Sequence, residues 1–504
     1  MGWYIFSFIA FLLFISPSIN HSNSTKKNVI YCESVTSHSE SIIDALALSK
    51  EKMKTETGIY TLENGGYSLI SRLWFFEHAQ KTIDIQYYSF AKDITGLIAS
   101  DFIVQAANRG VKVRILVDDA ASTMYSYEIQ LLDCHPNIDI KVYNAGLKLG
   151  MPHRRIKKTL QNSNRLLRRM HNKTLSIDGL VSIMGGRNIA DRYFDYDHKY
   201  NFRDRDVILF GKAVTDVERS FDTFWNDELT IPYTELSGKN NKYNDSARFT
   251  RLHADAIKNT PSTIREKIDS YSTEFKKTQS AEQFDWVKQV SFISDKPGKN
   301  EDKQNRKGGI ITDSIKALFN SAKTSIDLQS PYFIITEVGE QMITDAIKRG
   351  VKIRLLTNSL GSTDNYEAFS GYQRDRDKIL KIGIQIYEFK PDAKERFKLM
   401  TPDVQTALEY KPVYGLHSKT ILIDGFITVI GSCNFDPRSA DYNTECITVI
   451  RSKEVTKKLS KHIEEEFLPE NSWYTTLDFN ADSKAGFKKN LKAKSRRILP
   501  KKLL

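Results

Sequence analysis

Two short segments of the chain place a histidine two residues before a lysine, at His171/Lys173 and at His417/Lys419. Residues two apart on a strand face the same side, so each segment presents an imidazole beside a cation. This pair suits a phosphodiester, because lysine neutralises the non-bridging oxygens while histidine attacks phosphorus or protonates the leaving oxygen. One histidine cannot easily do both. Two facing half-sites would supply a nucleophile and an acid, and the acid would then become the base for the second step.

Both segments continue in the same way, through two β-rich runs joined by Asp178-Gly179 or Asp424-Gly425. Asp-Gly is a strong hairpin signal, so we predict a β-hairpin in each copy. The two aspartates are expected to build the turns, in a supporting rather than a chemical role. A single His-x-Lys is typical of a surface pair, whereas two copies with matched spacing favour a functional site.

Each hairpin is followed by a glycine-containing turn that ends in an asparagine, Asn188 or Asn434. We predict that these amides donate hydrogen bonds to a phosphate and that the Ser432 hydroxyl adds another donor. Gly186, at the matching place in the first turn, is expected to support the site.

The half-sites belong to a longer internal repeat. An apolar strand at 83–87 recurs at 326–330, and a helix-to-strand unit at 109–116 recurs at 349–356. The copies are offset by 240 to 246 residues, so the register barely drifts. Helical stretches at 94–108 and 341–348 precede Gly110 and Gly350, which stand where a helix C-cap is wanted. Strands alternating with helices predict a duplicated α/β fold, with helices flanking a sheet in each half.

The predicted organisation follows from this repeat and from the composition between and beyond the copies. Residues 3–15 are uncharged and apolar apart from Ser7. The run fits a signal-peptide core or a membrane anchor and is shorter than the roughly 20 residues of a full span. The predicted boundaries are a signal peptide or anchor at 1–27, a first half at 56–236, a polar linker at 237–304, a second half at 305–475 and a basic tail at 476–504.

The formal net charge is +12 and the sequence pI about 9.1. Such a surface favours a polyanionic partner, either nucleic acid or an anionic bilayer, and charge alone does not choose between them. The cations concentrate at 154–169 and 484–502, where a solvated face is the simpler interpretation of each cluster. The four cysteines lack the spacing of a disulfide framework or a zinc site, so we expect neither a metal nor a cofactor.

The paired motifs resemble the HKD phospholipase D superfamily from about Thr57 to Trp473. The resemblance implies a phospholipase D-type α-β-α sandwich in each half, one shared metal-free active site between the halves, and a phosphohistidine intermediate. It makes His171 the nucleophile and His417 the acid and base. It also implies a downstream carboxylate that orients each histidine, at Asp204 and Glu445, with Asp206 as a competitor for the first position.

A closer similarity is to bacterial cardiolipin synthases of the C type. It is carried by 57–60, 85–88, 167–173, 185–189 and 435–439. Cys433, where an aromatic residue is common, and Phe435, in place of a leucine, depart from that pattern.

The resemblance implies transfer of a phosphatidyl group to phosphatidylglycerol, with phosphatidylglycerol or phosphatidylethanolamine as donor. The expected partners are phospholipids and an anionic membrane surface, and nucleic acid is not expected. The expected location is the bacterial inner membrane or its periplasmic face, with secretion as an alternative. Deleting the tail after Asp482 is expected to weaken membrane binding more than chemistry. A phospholipase D hydrolase is the alternative function. A nuclease is less favoured, because small nucleases of this kind carry one half-site and dimerise.

Overall fold

The computed structural model describes residues 40–120, 127–146, 168–236, 246–280, 283–300, 308–400 and 411–501. The predicted signal peptide or anchor at 1–27 lies outside these residues, as do most of the cations of the 154–169 cluster. Among the residues described, no helix has both the length and the apolar character needed to cross a bilayer.

The first half is built on a nine-stranded sheet with the order β10-β1-β8-β6-β5-β2-β3-β4-β9. Strands β2, β3 and β4 are parallel, and the other neighbours are antiparallel. The elements of this half, including two short helices before the repeat, are α1 (Ile42–Ala45), α2 (Lys50–Thr55), β1 (Thr57–Leu62), α3 (Gly65–His78), β2 (Thr82–Tyr87), α4 (Ile94–Asn108), β3 (Lys112–Asp118), α5 (Tyr127–Cys134), β4 (Ile138–Tyr143), β5 (Lys173–Ile177), β6 (Val181–Gly185), β7 (Tyr200–Arg203), β8 (Asp206–Gly211), α6 (Val214–Trp225), β9 (Thr230–Pro232) and α7 (Tyr233–Leu236).

A structured connection leads from the first half to the second, whose eight-stranded sheet has the order β11-β18-β17-β16-β12-β13-β14-β19. Strands β12, β13 and β14 are parallel, as β2, β3 and β4 are. The duplicated α/β fold is therefore confirmed. The remaining elements are α8 (Ser246–Asn259), α9 (Ser262–Ser280), β10 (Asp285–Val287), β11 (Val290–Ser294), α10 (Ile310–Ser321), β12 (Ser325–Gln329), α11 (Glu337–Lys348), β13 (Lys352–Asn358), α12 (Tyr366–Ile382), β14 (Gln385–Phe389), α13 (Arg396–Leu399), β15 (Val413–Leu416), β16 (Thr420–Ile423), β17 (Ile427–Gly431), α14 (Pro437–Asp441), β18 (Cys446–Arg451), α15 (Lys453–Phe467), β19 (Ser472–Thr475) and α16 (Phe487–Arg496).

Both predicted hairpins form, as β5–β6 and β16–β17. Asp178 and Asp424 have positive φ angles of 56° and 54° at the turns. The carboxylate of Asp178 accepts hydrogen bonds from the backbone N–H groups of residues 80–82, and that of Asp424 from those of residues 323–325. Each aspartate thus fastens its hairpin to the start of the neighbouring strand, which is the structural role expected of it.

Within the segment predicted as a polar linker at 237–304, residues 246–280 and 283–300 contain two helices and two strands. Helix α9 buries Ile264, Ile268, Tyr271 and Phe275 in the core of the first half. Strand β10 extends the first sheet and β11 the second. The spacing of those four side chains makes one apolar helical face. The many Lys, Ser and Glu residues between them make the average composition polar, so composition alone does not show this face.

The basic tail also packs, rather than extending away from the second half. Asp482 pairs with Arg376, with an Oδ2–Nη2 distance of 2.7 Å, and Ala493 of α16 is buried in the second core. The Lys489 ammonium donates to the Gly361 carbonyl at 2.8 Å. Deleting the tail after Asp482 would therefore expose part of that core, and we expect it to affect the folding of the second half as well as membrane binding.

The halves are joined along two short stretches of backbone. Strand β7 of the first half pairs in parallel with β15 of the second. A single bridge links Met170 to Thr444 in the same orientation. Apolar side chains from both sheets also share one core, including Val207 and Leu209 from one half and Leu416 and Ile430 from the other.

Candidate active site

The backbone pairing between the halves fixes where the two histidines lie. The His171 N–H donates to the Thr444 carbonyl at 2.9 Å, and the His417 N–H donates to the Arg203 carbonyl at 2.7 Å. Each histidine therefore runs alongside a segment of the opposite half, and the residue after each acceptor is a carboxylate, Glu445 or Asp204.

The carboxylates are consequently exchanged between the halves. His171 Nδ1 lies 3.0 and 2.9 Å from the two oxygens of Glu445, and His417 Nδ1 lies 2.6 Å from Asp204 Oδ2. All four side chains are buried. Since an ionised carboxylate only accepts, each Nδ1 carries the proton and each Nε2 keeps its lone pair. Sequence reasoning found both carboxylates, but not that each serves the histidine of the other half.

Asp206, the competing carboxylate, has a different task. Its Oδ2 accepts hydrogen bonds from Arg72 Nη2 at 2.8 Å and from Ser68 Oγ at 2.9 Å. These bonds hold β8 to helix α3 within the first half, away from either histidine.

Gly186 and Ser432, two of the predicted supporting residues, each help to position one of the carboxylates. Ser432 donates its hydroxyl to Glu445 Oε2, and Ser439 donates to Oε1 at 2.7 Å. Gly186 acts by being small, because a Cβ placed there would lie 2.1 Å from Asp204 Oδ1. Glu445 is therefore held by hydroxyls, whereas Asp204 fits because its neighbour has no side chain.

The lysines lie close to their own histidines. Lys173 Nζ donates to the His171 carbonyl at 2.7 Å, and Lys419 Nζ donates to the His417 carbonyl. Lys419 Nζ also lies 3.0 Å from His417 Nδ1 and 3.2 Å from Nε2. An ammonium has three donors, so each lysine retains N–H groups for a phosphate oxygen.

Burial sets the protonation of the site. It lowers the pKa of His171 to about 4, helped by Lys173 and opposed by Glu445. Burial, reinforced by Lys419, lowers the pKa of His417 to about 3. Each lysine also lowers the pKa of the other half's histidine, so the half-sites are within electrostatic reach of each other. Both imidazoles are therefore neutral near pH 7, as a nucleophile must be.

The same burial lowers the pKa of Lys173 to about 7 and that of Lys419 to about 8. Burial alone would raise the pKa of Asp204 and Glu445, but the histidine that each one contacts and the nearby lysines lower both below their ordinary values. The carboxylates stay ionised, and the lysines hold protons that a bound anion would secure.

Aromatic rings surround the histidines, and sequence reasoning missed them. The ring centres of Tyr88 and His171 are 5.1 Å apart, and Tyr193 and Phe202 lie 5.1 and 4.6 Å from His417. Tyr332 lies 6.4 Å from His417. Two of these rings could have been found from their position in the repeat, since Tyr88 and Tyr332 follow the equivalent strands β2 and β12.

The two asparagines of the glycine-containing turns differ in their surroundings. Asn188 Oδ1 accepts from the Ser89 N–H at 3.1 Å, and its amide donates to the Tyr193 hydroxyl at 2.9 Å. Asn434 is only 8% exposed, yet its Oδ1 has no hydrogen-bond partner among the residues described. Both ends of the Asn188 amide are therefore hydrogen-bonded within the protein, whereas the Asn434 Oδ1 can still accept a hydrogen bond.

Two arginines flanking Asp204 tie the halves together behind the site, and sequence reasoning missed these as well. Arg203 bonds Glu63 of the first half and Glu466 of the second. Arg205 also bonds Glu63 and donates to Thr420 Oγ1 at 2.7 Å. The sequence signal for this contact between the halves was the run Arg203-Asp204-Arg205, in which an arginine lies on each side of the carboxylate.

Nothing in the described part of the chain groups three or more His, Cys, Asp or Glu side chains in a way that could hold a metal ion.

Comparison with known proteins matches residues 74–225 and 315–467 to the family described as cardiolipin synthase, PLD-like domain. Cardiolipin synthase C of Escherichia coli is 32% identical over 432 residues, covering 84% of this chain and 87% of that protein. Cardiolipin synthase 1 of Bacillus cereus is 24% identical, covering 85% and 69%. The crystal structure of a phosphatidylserine synthase from Haemophilus influenzae superposes with a TM-score of 0.57 at 14% identity, covering 91% of this chain and 96% of that one, and so shares the fold.

Proposed function

The chain belongs to the family of cardiolipin synthases with phospholipase D-like domains, and on that premise we propose that it makes cardiolipin by transferring a phosphatidyl group to phosphatidylglycerol. It is an enzyme of the phospholipid transferase type. One observation supports the proposal: two neutral histidines, each held at Nδ1 by a carboxylate of the other half and each beside a lysine. The resemblance to the phospholipase D superfamily makes His171 the nucleophile and His417 the acid and base.

In the first step, Nε2 of His171 attacks the phosphorus of the donor lipid. A P–N bond forms, and the bond to the head-group oxygen breaks. His417 gives that oxygen a proton. The low pKa of His417 belongs to the free enzyme, and the negative phosphodiester favours the charged imidazolium when it binds. Substrate binding thus prepares the acid.

In the second step, neutral His417 takes the proton of a phosphatidylglycerol hydroxyl. The resulting oxygen attacks the phosphorus, the P–N bond breaks, and His171 is released unchanged. Lys173 and Lys419 stabilise the charge on the non-bridging oxygens through both steps. Water in place of the lipid hydroxyl would give phosphatidic acid, which is the hydrolase alternative.

We propose an anionic bilayer surface as the place of this reaction. Helix α16 exposes 81% of Phe487 and 58% of Leu491, and Ile498 beyond it is 88% exposed. Lys488, Lys492 and Lys494 lie on the same helix. Apolar side chains among cations are typical of helices that lie in the interface of an anionic membrane.

The test uses purified full-length protein in mixed micelles with labelled phosphatidylglycerol, with and without phosphatidylethanolamine, and with EDTA throughout. Labelled cardiolipin in either mixture supports the transfer. Phosphatidic acid alone would make the enzyme a hydrolase, and no lipid product in either mixture would refute the proposal. His171→Asn and His417→Asn, expected to abolish turnover, control for contaminating activity. Degradation of DNA in a parallel reaction would favour the nuclease instead.

A further inference from the structure

An open pocket lies in the second half, between helices α10 and α11 and the segment that runs from Cys433 into α14. Its walls are largely apolar. The lining residues are Thr312, Ile315, Phe333, Ile334, Ile335, Thr336, Val338, Gly339, Met342, Ile343, Cys433, Asn434, Phe435, Asp436 and Ala440.

The polar end of this pocket adjoins the active site. Ser439 accepts from the Asn434 N–H at 3.3 Å and donates to Glu445, the carboxylate that holds His171. Tyr332, whose ring lies 6.4 Å from that of His417, immediately precedes Phe333 of the pocket wall. Asn434, whose Oδ1 has no hydrogen-bond partner among the residues described, lines the pocket as well. A molecule with a polar group at the histidines and an apolar chain would fit in that orientation.

The equivalent segments of the first half are joined by polar contacts. Asp191 accepts from the N–H and the hydroxyl of Thr95, at 2.8 Å each, and donates its own N–H to Asp93 at 2.8 Å. Allowing for the repeat offset, Val338 stands in place of Thr95 and Pro437 in place of Asp191. Val338 has no hydroxyl, and Pro437 has neither a carboxylate nor an N–H, so the corresponding bonds are not formed there.

A second difference lies at a residue that lines the second-half pocket. Cys433 occupies the place of Arg187, whose buried guanidinium bonds the carbonyls of Leu62 and Tyr193. At these matched positions the second half therefore has less polar side chains than the first, and at Cys433 a smaller one.

Resting on the proposed function, we propose that this pocket holds an acyl chain of the phospholipid donor while its phosphate lies between the histidines. Its walls are largely apolar with a few polar groups, as in most ligand pockets, and they match a hydrocarbon chain. Each methylene that enters should improve kcat/KM by up to about fourfold until the pocket is full.

The experiment fills the pocket from opposite walls, with Val338→Phe on α11 and Ala440→Leu on α14. Lys348→Phe adds the same ring to α11 at an exposed position and is the matched control. Head-group release is measured for donors with six-carbon and sixteen-carbon chains, in the same mixed micelles. We expect the ratio of long-chain to short-chain kcat/KM to fall at least tenfold in both pocket variants and to stay unchanged in Lys348→Phe. Variants that keep short-chain turnover but also the wild-type ratio would overturn the pocket assignment.

A binding readout separates this inference from the proposed function. A donor lipid with a photoreactive group near the end of its acyl chain is irradiated with the wild-type protein, and the labelled peptides are mapped. Labelling within residues 333–343, lost in Val338→Phe, supports the pocket even if the transfer product differs from the one proposed. Labelling confined to other segments would refute the pocket even if cardiolipin is made. Absence of turnover on either donor by the wild-type protein would instead refute the proposed function.

Discussion

His171 and Glu445 are hydrogen-bonded, with Nδ1–O distances of 3.0 and 2.9 Å, although 274 positions separate them in the chain. The reciprocal pair, His417 and Asp204, is 213 positions apart. Each half therefore supplies the reacting nitrogen of one pair and the orienting oxygen of the other.

This exchange predicts which variants should behave alike. Glu445→Gln should resemble His171→Asn, and Asp204→Asn should resemble His417→Asn, with kcat lower by roughly 10²- to 10⁴-fold in the carboxylate variants. A donor with a p-nitrophenol leaving group needs no acid. Asp204→Asn should therefore still release p-nitrophenol in a burst from it, and Glu445→Gln should not. Glu464→Gln, at an exposed ion pair with Arg354, is the control. A burst in Glu445→Gln but not in Asp204→Asn would reverse the assigned roles.

For a donor with a p-nitrophenol leaving group, which needs no acid, the pH dependence of kcat/KM should have limbs set by His171 and the two lysines of the free enzyme. Activity should fall below about pH 4, where His171 gains a proton and loses its nucleophilic lone pair. Activity should also fall above about pH 7 to 8, where Lys173 and Lys419 lose a proton and with it their positive charge. Lys173→Arg keeps a cation at all these pH values, so its alkaline limb should move upward even if its maximal rate is lower. An alkaline limb that stays in place would show that Lys173 does not set it.

Gly186 and Ser432 occupy equivalent turns but should respond differently to alanine. In Gly186→Ala the new Cβ displaces Asp204, so we expect at least about a 10²-fold loss of kcat. Ser432→Ala removes one of two hydroxyls on Glu445, and about a tenfold loss is expected because Ser439 remains. Steady-state kinetics with a short-chain donor gives both values. Equal losses in the two variants would contradict the steric role of Gly186.

Asp178 and Asp424 should affect stability without affecting chemistry. Alanine at either position removes hydrogen bonds to three backbone N–H groups, which should lower the free energy of unfolding by about 1–2 kcal/mol. Urea unfolding measures that change, and kcat per folded molecule should stay within about twofold. A tenfold drop in kcat at unchanged stability would assign these aspartates to catalysis.

The apolar residues of α16 should govern membrane binding. Phe487→Ser and Leu491→Ser should each weaken binding to phosphatidylglycerol vesicles by about tenfold, because each removes a side chain that would enter the interface. Turnover of a soluble short-chain donor should not change. Leu468→Ser, at another exposed apolar position, is the control. Sedimentation with vesicles measures the binding, and wild-type binding by both α16 variants would refute the membrane role of this helix.

The local parts of this architecture were predictable from the sequence. The hairpins at Asp178 and Asp424, the helix before Gly110 and the duplication itself follow from turn chemistry and periodicity, which act between near neighbours. Gly110 and Gly350 have the positive φ angles, 99° and 87°, that their positions as helix C-caps required.

What the sequence did not reveal depends on contacts between distant segments. Nothing in the spacing around His171 indicates that Glu445, rather than Asp204, reaches it, because the choice is made by backbone pairing between the halves. The different fates of Asn188 and Asn434 depend in the same way on neighbours such as Tyr193. The apolar face of α9 was the exception, since its four buried side chains follow a helical period that could have been recognised.

Because each half supplies the carboxylate of the other, we expect activity to arise only late in synthesis of the chain. Domains fold N-terminal first as the chain emerges from the ribosome, so the first half can be complete while Glu445 is still untranslated. His171 then has no orienting partner, and Asp204 has no histidine to hold. A nascent or truncated chain is thus catalytically inactive. It cannot cleave membrane lipids until nearly the whole protein has been synthesised.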